Sequence, residues 1–248
     1  MINDKIFLGF PISFKNICKV YPPTINDVVG NDNFGVYQAL FTITQEELDD
    51  AYLKEGNNSP TPFQYLMMNY YQDKEMQKII LDAFEQFIRE PVTIVPEIEL
   101  LLIGKGEEEL DPDIDLENPK LLTSENFFDF QNCIRMVTGM DLKEPKKEED
   151  ANEDPRIKRW KMKVRESEKI ISAKKQKNAP TLGTLLAAIC CMGIGLNPLN
   201  IGEMSYACIQ WLIAMYQQNE EYNIDIKALL AGADSKKVKP KYWIKNIE

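Results

Sequence analysis

The residues from Met204 to Tyr216 carry apolar side chains on both faces of a predicted helix. A helix that is hydrophobic all round has to be covered, either by its own domain or by a partner chain. Burial in the core of its own domain is the simpler interpretation. Tryptophan, tyrosine and methionine also anchor protein interfaces, so burial by a partner chain remains open as well. At helical spacing, one face consists of Met204, Ala207, Cys208, Trp211, Leu212 and Met215, and the other of Tyr206, Ile209, Ile213 and Tyr216.

A charged segment divides the chain. From Lys143 to Pro155 the sequence loses its large hydrophobic residues and becomes rich in acids and lysines, as is typical of a linker. Beyond it the pattern is helical throughout. The sequence therefore predicts an N-terminal domain over residues 1–142, an acidic linker over 143–155 and a helical C-terminal domain over 156–248.

The front half mixes strand-like and helical patterns. Residues 5–29 carry frequent apolar residues interrupted by prolines, which predicts extended chain or a hairpin, with Thr24 capping a short helix that stops at Gly30. Valines, isoleucines and leucines over 92–103 predict an edge strand or second hairpin. The acid-rich residues 45–52 predict a helical turn, and apolar positions at helical spacing predict helices over 63–70, 76–88 and 124–137. We expect an α+β fold: a small N-terminal β element with helices, then a mostly α-helical C-terminal domain.

The C-terminal domain is predicted to contain helices over about 156–176, 180–192, 201–217 and 222–231. The stretch over 156–177, which includes the first of these helices, has ten Lys or Arg against two Glu, with an apolar stripe that includes Trp160 and Val164. A docking helix has this pattern. A solvated or internally paired basic face explains it most simply, and a protein partner, nucleic acid or an anionic membrane remain alternatives.

Composition argues against several functional classes. Histidine is absent, which removes the commonest general base and metal ligand, and no nucleophile, phosphate-loop or metal motif is present. We therefore expect no enzyme, no cofactor and no metal site. The net charge of −10 opposes binding to a polyphosphate, so nucleic acid is not an expected partner.

The cysteines are predicted to be reduced thiols. Their number is odd and no two have metal-ligand spacing; they are Cys18, Cys133, Cys190, Cys191 and Cys208. The last three lie in apolar stretches, where cysteine acts as a small hydrophobe, and we expect them to be inert and buried.

The apolar segment over 178–202 is interrupted by prolines and asparagines, so its continuous apolar part is shorter than the ~20 residues of a membrane span. The N-terminal residues lack the basic region of a secretory signal. We expect no membrane span and a location in the cytoplasm.

Two stretches resemble a known group of proteins. The run LTSENFFDFQNCIR over 122–135 and the run YNIDIKALLAGADSKKVKPKYWIKNI over 222–247, with the basic helix between them, are similar to morphogenesis proteins from the tail gene clusters of phages that infect low-GC Gram-positive bacteria. Tail assembly chaperones are the nearest named family. The resemblance covers about the last half of the chain, and the front half does not match.

The resemblance implies a non-enzymatic protein of the host cytoplasm that binds a tail component, such as the tape measure, hub or baseplate, in a chaperone-like role. The alternative is a structural subunit of the virion tail, baseplate or neck, and self-association is also left open. The candidate partner-binding residues are Trp160, Val164, Met204, Cys208, Trp211, Leu212, Met215 and Trp243.

Overall fold

The structure is a computed structural model that describes residues 2–52, 58–72, 74–95, 100–104, 120–140 and 180–241. The helices are α1 Ile2–Phe7, α2 Ile25–Val29, α3 Phe34–Thr42, α4 Gln45–Tyr52, α5 Pro62–Gln72, α6 Lys74–Ile88, α7 Ser124–Val137, α8 Leu182–Cys191 and α9 Tyr206–Leu230. The strands are β1 Ile12–Phe14, β2 Cys18–Val20, β3 Val92–Val95, β4 Leu100–Ile103 and β5 Leu121–Leu122. The predicted α+β class is confirmed.

The chain forms two compact units. One comprises Met1–Lys143 with Asn197–Glu248, and the other comprises Glu144–Leu196. Among the described residues, the segment that leads into α9 therefore belongs with the N-terminal part of the chain. The predicted linker over 143–155 and the basic helix over 156–176 lie outside the described residues, so the division into domains 1–142 and 156–248 stays a prediction.

The first helix departs from the sequence expectation. Residues 5–29 were expected to begin in extended conformation, but α1 is helical up to Phe7. Gly9, at a φ of 78°, follows the helix, and the N–H of Phe10 donates to the carbonyl of Lys5 at 2.8 Å. A glycine in left-handed conformation followed by an apolar residue is a common way to end a helix. The helix forms because this ending and the burial of Ile6 outweigh the strand-like pattern.

Both predicted β elements are present. Strands β1 and β2 pair antiparallel, with Ile12 opposite Val20 and Phe14 opposite Cys18. The second sheet has the order β3-β4-β5, and all of its pairs are antiparallel. Each sheet is too small to be stable alone, so its apolar side has to pack on the helices.

The short helix α2 has the predicted ends. Its cap Thr24 accepts a hydrogen bond from the N–H of Asp27 at 3.1 Å, and Asp27 accepts one in return from the N–H of Thr24 at 2.7 Å. These reciprocal bonds satisfy amide groups that the first turn of a helix leaves without partners. The helix ends before Gly30, as expected.

Helices α3, α6 and α7 enclose an aromatic core. The ring of Phe41 lies 4.7 Å from that of Phe84 and 5.7 Å from that of Phe130, both edge to face. The apolar spacing of α6 and α7 gave the correct buried faces, since Phe84 and Phe130 are fully buried. Edge-to-face contacts add about 0.5–1.5 kcal/mol per pair beyond the burial of the rings.

Two buried polar side chains of α7 secure the end of α3. Gln131 donates from Nε2 to the carbonyl of Ile43 at 2.9 Å, and Arg135 donates to the carbonyl of Thr42. Carbonyl groups at a helix C-terminus carry partial negative charge, so a buried guanidinium is stabilised there. These contacts fix the position of α7.

Helix α9 differs from the prediction in two respects. The expected helices over 201–217 and 222–231 form one continuous helix, because the residues between them include neither glycine nor proline. The predicted start was also wrong: Ile201–Glu203 form a 3-10 turn, Met204 is extended, and α9 begins after Ser205. Across the described ranges, none of the helices has the length and apolar character that a membrane crossing requires.

In the second unit the described residues form α8, close to the predicted helix over 180–192. Its cap Thr181 accepts a hydrogen bond from the N–H of Thr184 at 3.2 Å. Ile189 is buried, whereas most other residues of the helix are partly or fully exposed.

Candidate partner-binding surface on α9

The first turn of α9 is held by the N-terminal part of the chain. Ser205 caps the helix by accepting from the N–H of Cys208 at 3.2 Å, and its hydroxyl donates to the carbonyl of Ile6 at 3.1 Å. Ser205 is 4% exposed. One buried hydroxyl thus closes the start of α9 and joins it to α1.

Backbone hydrogen bonds strengthen the same junction. The N–H of Ile25 donates to the carbonyl of Met204 at 2.9 Å, and the N–H of Tyr206 donates to the carbonyl of Pro23 at 2.8 Å. The two segments therefore run side by side for a short distance in antiparallel direction, with Thr24 opposite Ser205. This pairing determines where α9 begins and in which direction it leaves the junction.

An aromatic pair continues the contact one turn further along. The ring of Phe7 stacks on Trp211 with a centroid distance of 6.1 Å and an angle of 5° between the planes. Trp211 packs against the core but is only partly buried, and Phe7 is 36% exposed. The stacked pair therefore lies at the boundary between the core and the solvent.

Beyond its first turn, α9 is less deeply buried by the rest of the chain. Its fully buried residues are confined to the first turn: Ala207, Cys208 and Ile209. Trp211, Leu212 and Met215 continue the side of the helix that is buried at Cys208, but each is only partly buried. We refer to Trp211, Leu212 and Met215 as the Trp211 face. It is an apolar strip that begins in the core and continues to the surface.

The predicted partner-binding residues are thus dispersed. Cys208 is fully buried, and Met204 lies before the helix and outside the stripe to which we assigned it. Leu212, Met215 and Trp211 lie together on the Trp211 face. Trp160, Val164 and Trp243 are outside the described residues.

The N-terminal residues contribute to this region in a way that the sequence pattern did not predict. Phe7 lies against Trp211, and the two following apolar residues Leu8 and Phe10 are 67% and 57% exposed. Residues 6–10 form a mostly apolar run in the sequence, which predicted extended chain. The glycine at position 9, followed by an aromatic residue, was the available indication of a helix end that would expose part of this run.

The thiols differ in environment. Cys208 is buried, as expected, and burial raises its pKa to about 11, which keeps the thiol neutral and unreactive at neutral pH. The expectation that Cys190 and Cys191 are buried was wrong, since Cys190 is half-buried and Cys191 is exposed. The residues of α8 are apolar in sequence, but only one side of the helix is covered.

Comparison with known protein families found a match in the C-terminal part of the chain. The family described as YomV second domain, from a Bacillus prophage protein, matches residues 174–248, which include α8 and α9. Neither the curated proteins nor the solved structures gave a match. The C-terminal part of this chain is therefore similar to a phage-associated domain.

Proposed function

We propose that this protein is a non-enzymatic phage tail assembly protein that binds a tail component in a chaperone-like manner. The observation that carries the proposal is the Trp211 face, where an apolar strip leaves the core and remains partly exposed. The similarity of residues 174–248 to a phage-associated domain supports the phage context. The site of action is the cytoplasm of the host bacterium.

The chemistry of this face fits an apolar helix of a partner. Its tryptophan, leucine and methionine side chains offer large contact area, and tryptophan is among the residues that contribute most to binding at interfaces. A partner helix laid along the strip would extend the packing that starts at Cys208. Tape measure, hub and baseplate proteins are the proposed partners, and no cofactor takes part.

Copurification tests the role directly. The tagged full chain is produced in host cells while the phage grows, and the proteins that copurify are identified by mass spectrometry. A chaperone-like protein is found with a tail component and is missing from purified virions. Presence in purified virions at fixed stoichiometry would instead show a structural subunit of the tail, baseplate or neck.

Variants of the Trp211 face test the site. Leu212→Ser with Met215→Ser removes apolar contact area from partly buried positions, so the chain should retain its helical circular dichroism and lose the tail component. Gln217→Ser is the matched control, because Gln217 is exposed on another side of the same helix. Equal recovery of the tail component with both variants would exclude this face as the binding site.

A further inference from the structure

Towards its C-terminal end, α9 carries a row of exposed apolar and charged residues that begins at Tyr216, one turn beyond Leu212 of the Trp211 face. Tyr216, Ile224 and Leu230 are 40%, 61% and 83% exposed, and Glu220 and Lys227 between them are exposed as well. The five positions follow the spacing i, i+4, i+8, i+11, i+14, which keeps them on one side of a helix. We name these five residues the α9 seam.

The order of side chains in the α9 seam is self-complementary. It reads apolar, acidic, apolar, basic, apolar from Tyr216 to Leu230. If a second copy lies antiparallel across a two-fold axis close to Ile224, Glu220 of each copy meets Lys227 of the other. The apolar ends of the two seams then meet within about one residue, roughly 1.5 Å along the helix.

The opposite orientation is disfavoured by charge. Two parallel α9 helices in register would place Glu220 against Glu220 and Lys227 against Lys227. Like charges at such positions repel, whereas the antiparallel arrangement has two attractive pairs per dimer. The pattern therefore indicates a particular occupant and a particular direction.

We propose that the α9 seam binds the α9 seam of a second copy of this chain, antiparallel and with two-fold symmetry. An interface of this kind is isologous, since the same patch serves both partners. A stable protein interface buries about 1,200 Å² or more, and a pair of single helices buries less than that. The dimer is therefore weak, dependent on concentration and weakened by salt. It uses none of the three residues of the Trp211 face and so goes beyond the proposed binding of a tail component.

Charge exchange tests the pairing by sedimentation velocity on the full chain. Glu220→Lys and Lys227→Glu should each raise the dissociation constant of the dimer, because each turns both attractive pairs into repulsive ones. The expected increase is about 5- to 30-fold. The doubly exchanged variant E220K/K227E should recover dimerisation, and an equimolar mixture of the two single variants should associate more strongly than either alone.

Glu221→Lys is the matched control. Glu221 is exposed and next to Glu220, but it lies about 100° further round the helix, outside the seam. It should leave the dissociation constant within about twofold, and circular dichroism should show equal helicity for all variants. A chain that stays monomeric up to about 1 mM overturns the proposal. So does an E221K effect equal to that of E220K, or a mixture that associates no better than the single variants.

Discussion

At the scale of single residues, Gly139 marks the closest approach between the end of α7 and the start of α9. Its φ is 71°, and a Cβ atom placed on it would lie 3.2 Å from the Cα of Ala207. A side chain there would meet backbone, which cannot rotate away. The residue that ends α7 thus also permits α9 to pack against it.

We expect Gly139→Ala to lower the free energy of unfolding by about 2–3 kcal/mol, because left-handed strain of about 1–2 kcal/mol adds to the contact with Ala207. Urea unfolding measures the change. Gly9→Ala is the control: Gly9 also ends a helix, at a φ of 78°, but has open space around it. Gly9→Ala should therefore lower the free energy of unfolding by the left-handed strain alone. An equal decrease for both variants would contradict the close approach of Gly139 to Ala207.

Because the pKa values of two buried thiols are raised, we expect the free energy of unfolding to depend on pH in the alkaline range. Burial raises the pKa of Cys208 to about 11, and burial, with a smaller contribution from Glu90, raises that of Cys18 to about 12, from an ordinary 9.0. Above about pH 9 the unfolded chain has lost these protons while the folded chain retains them. The free energy of unfolding should therefore be unaffected below pH 9 and fall as the pH rises towards 11.

Urea unfolding at pH 8, 9 and 10 measures this dependence. Other groups also titrate in this range, so Cys208→Ala serves as the comparison. The variant should be less stable at pH 8, because a small cavity replaces the sulfur, but should lose less stability between pH 9 and 10. Parallel curves for the two proteins would show that Cys208 does not contribute.

At the scale of elements, helices with a periodic apolar face and recognisable ends were predicted well. The expected helix over 124–137 coincides with α7, because Thr123 and Gly139 mark its ends and its apolar residues recur at helical spacing. No helix was predicted over the residues of α3, and helix α1 was missed because it is only six residues long, too short for periodicity to distinguish it from a strand. Its stability comes from contacts with α7 and α9.

The contact between α1 and α9 can be measured through the stacked rings. In a double-mutant cycle with Phe7→Ala and Trp211→Ala, we expect a coupling energy of about 0.5–1.5 kcal/mol. Replacing a fully buried aromatic residue by alanine lowers the free energy of unfolding by about 3–5 kcal/mol. Trp211→Ala alone should lower it by less, since Trp211 is only partly buried. Urea unfolding of the four proteins gives these values.

Phe10→Ala is the control for this cycle. Phe10 is an exposed aromatic of the same segment, and it makes no ring contact with Trp211 in the part of the chain that the structure describes. Its coupling to Trp211→Ala should be close to zero. Similar coupling for Phe7 and Phe10 would indicate a general effect of the segment rather than the stacked pair.

At the scale of the whole molecule, α9 depends on residues far away in the chain. We expect a fragment of residues 174–248, expressed alone, to lose cooperative thermal unfolding, because Ser205 and Tyr206 lose their hydrogen bonds to Ile6 and Pro23. The full chain should unfold cooperatively, and circular dichroism compares the two. Adding a fragment of residues 1–143 should restore helicity. Cooperative unfolding of the isolated fragment would support an independent C-terminal domain.

The α+β class, the buried faces of α6 and α7, the caps of α2 and the ends of α4 and α7 could be predicted from the sequence, because spacing and capping act over a few residues. The tertiary structure decided how far α9 is covered and which neighbour covers it. Ser205 and Ile6, whose hydrogen bond holds α9 at its start, are 199 positions apart. Helical periodicity shows that two faces are apolar, but only contacts between distant segments decide which residues are buried and which remain partly exposed.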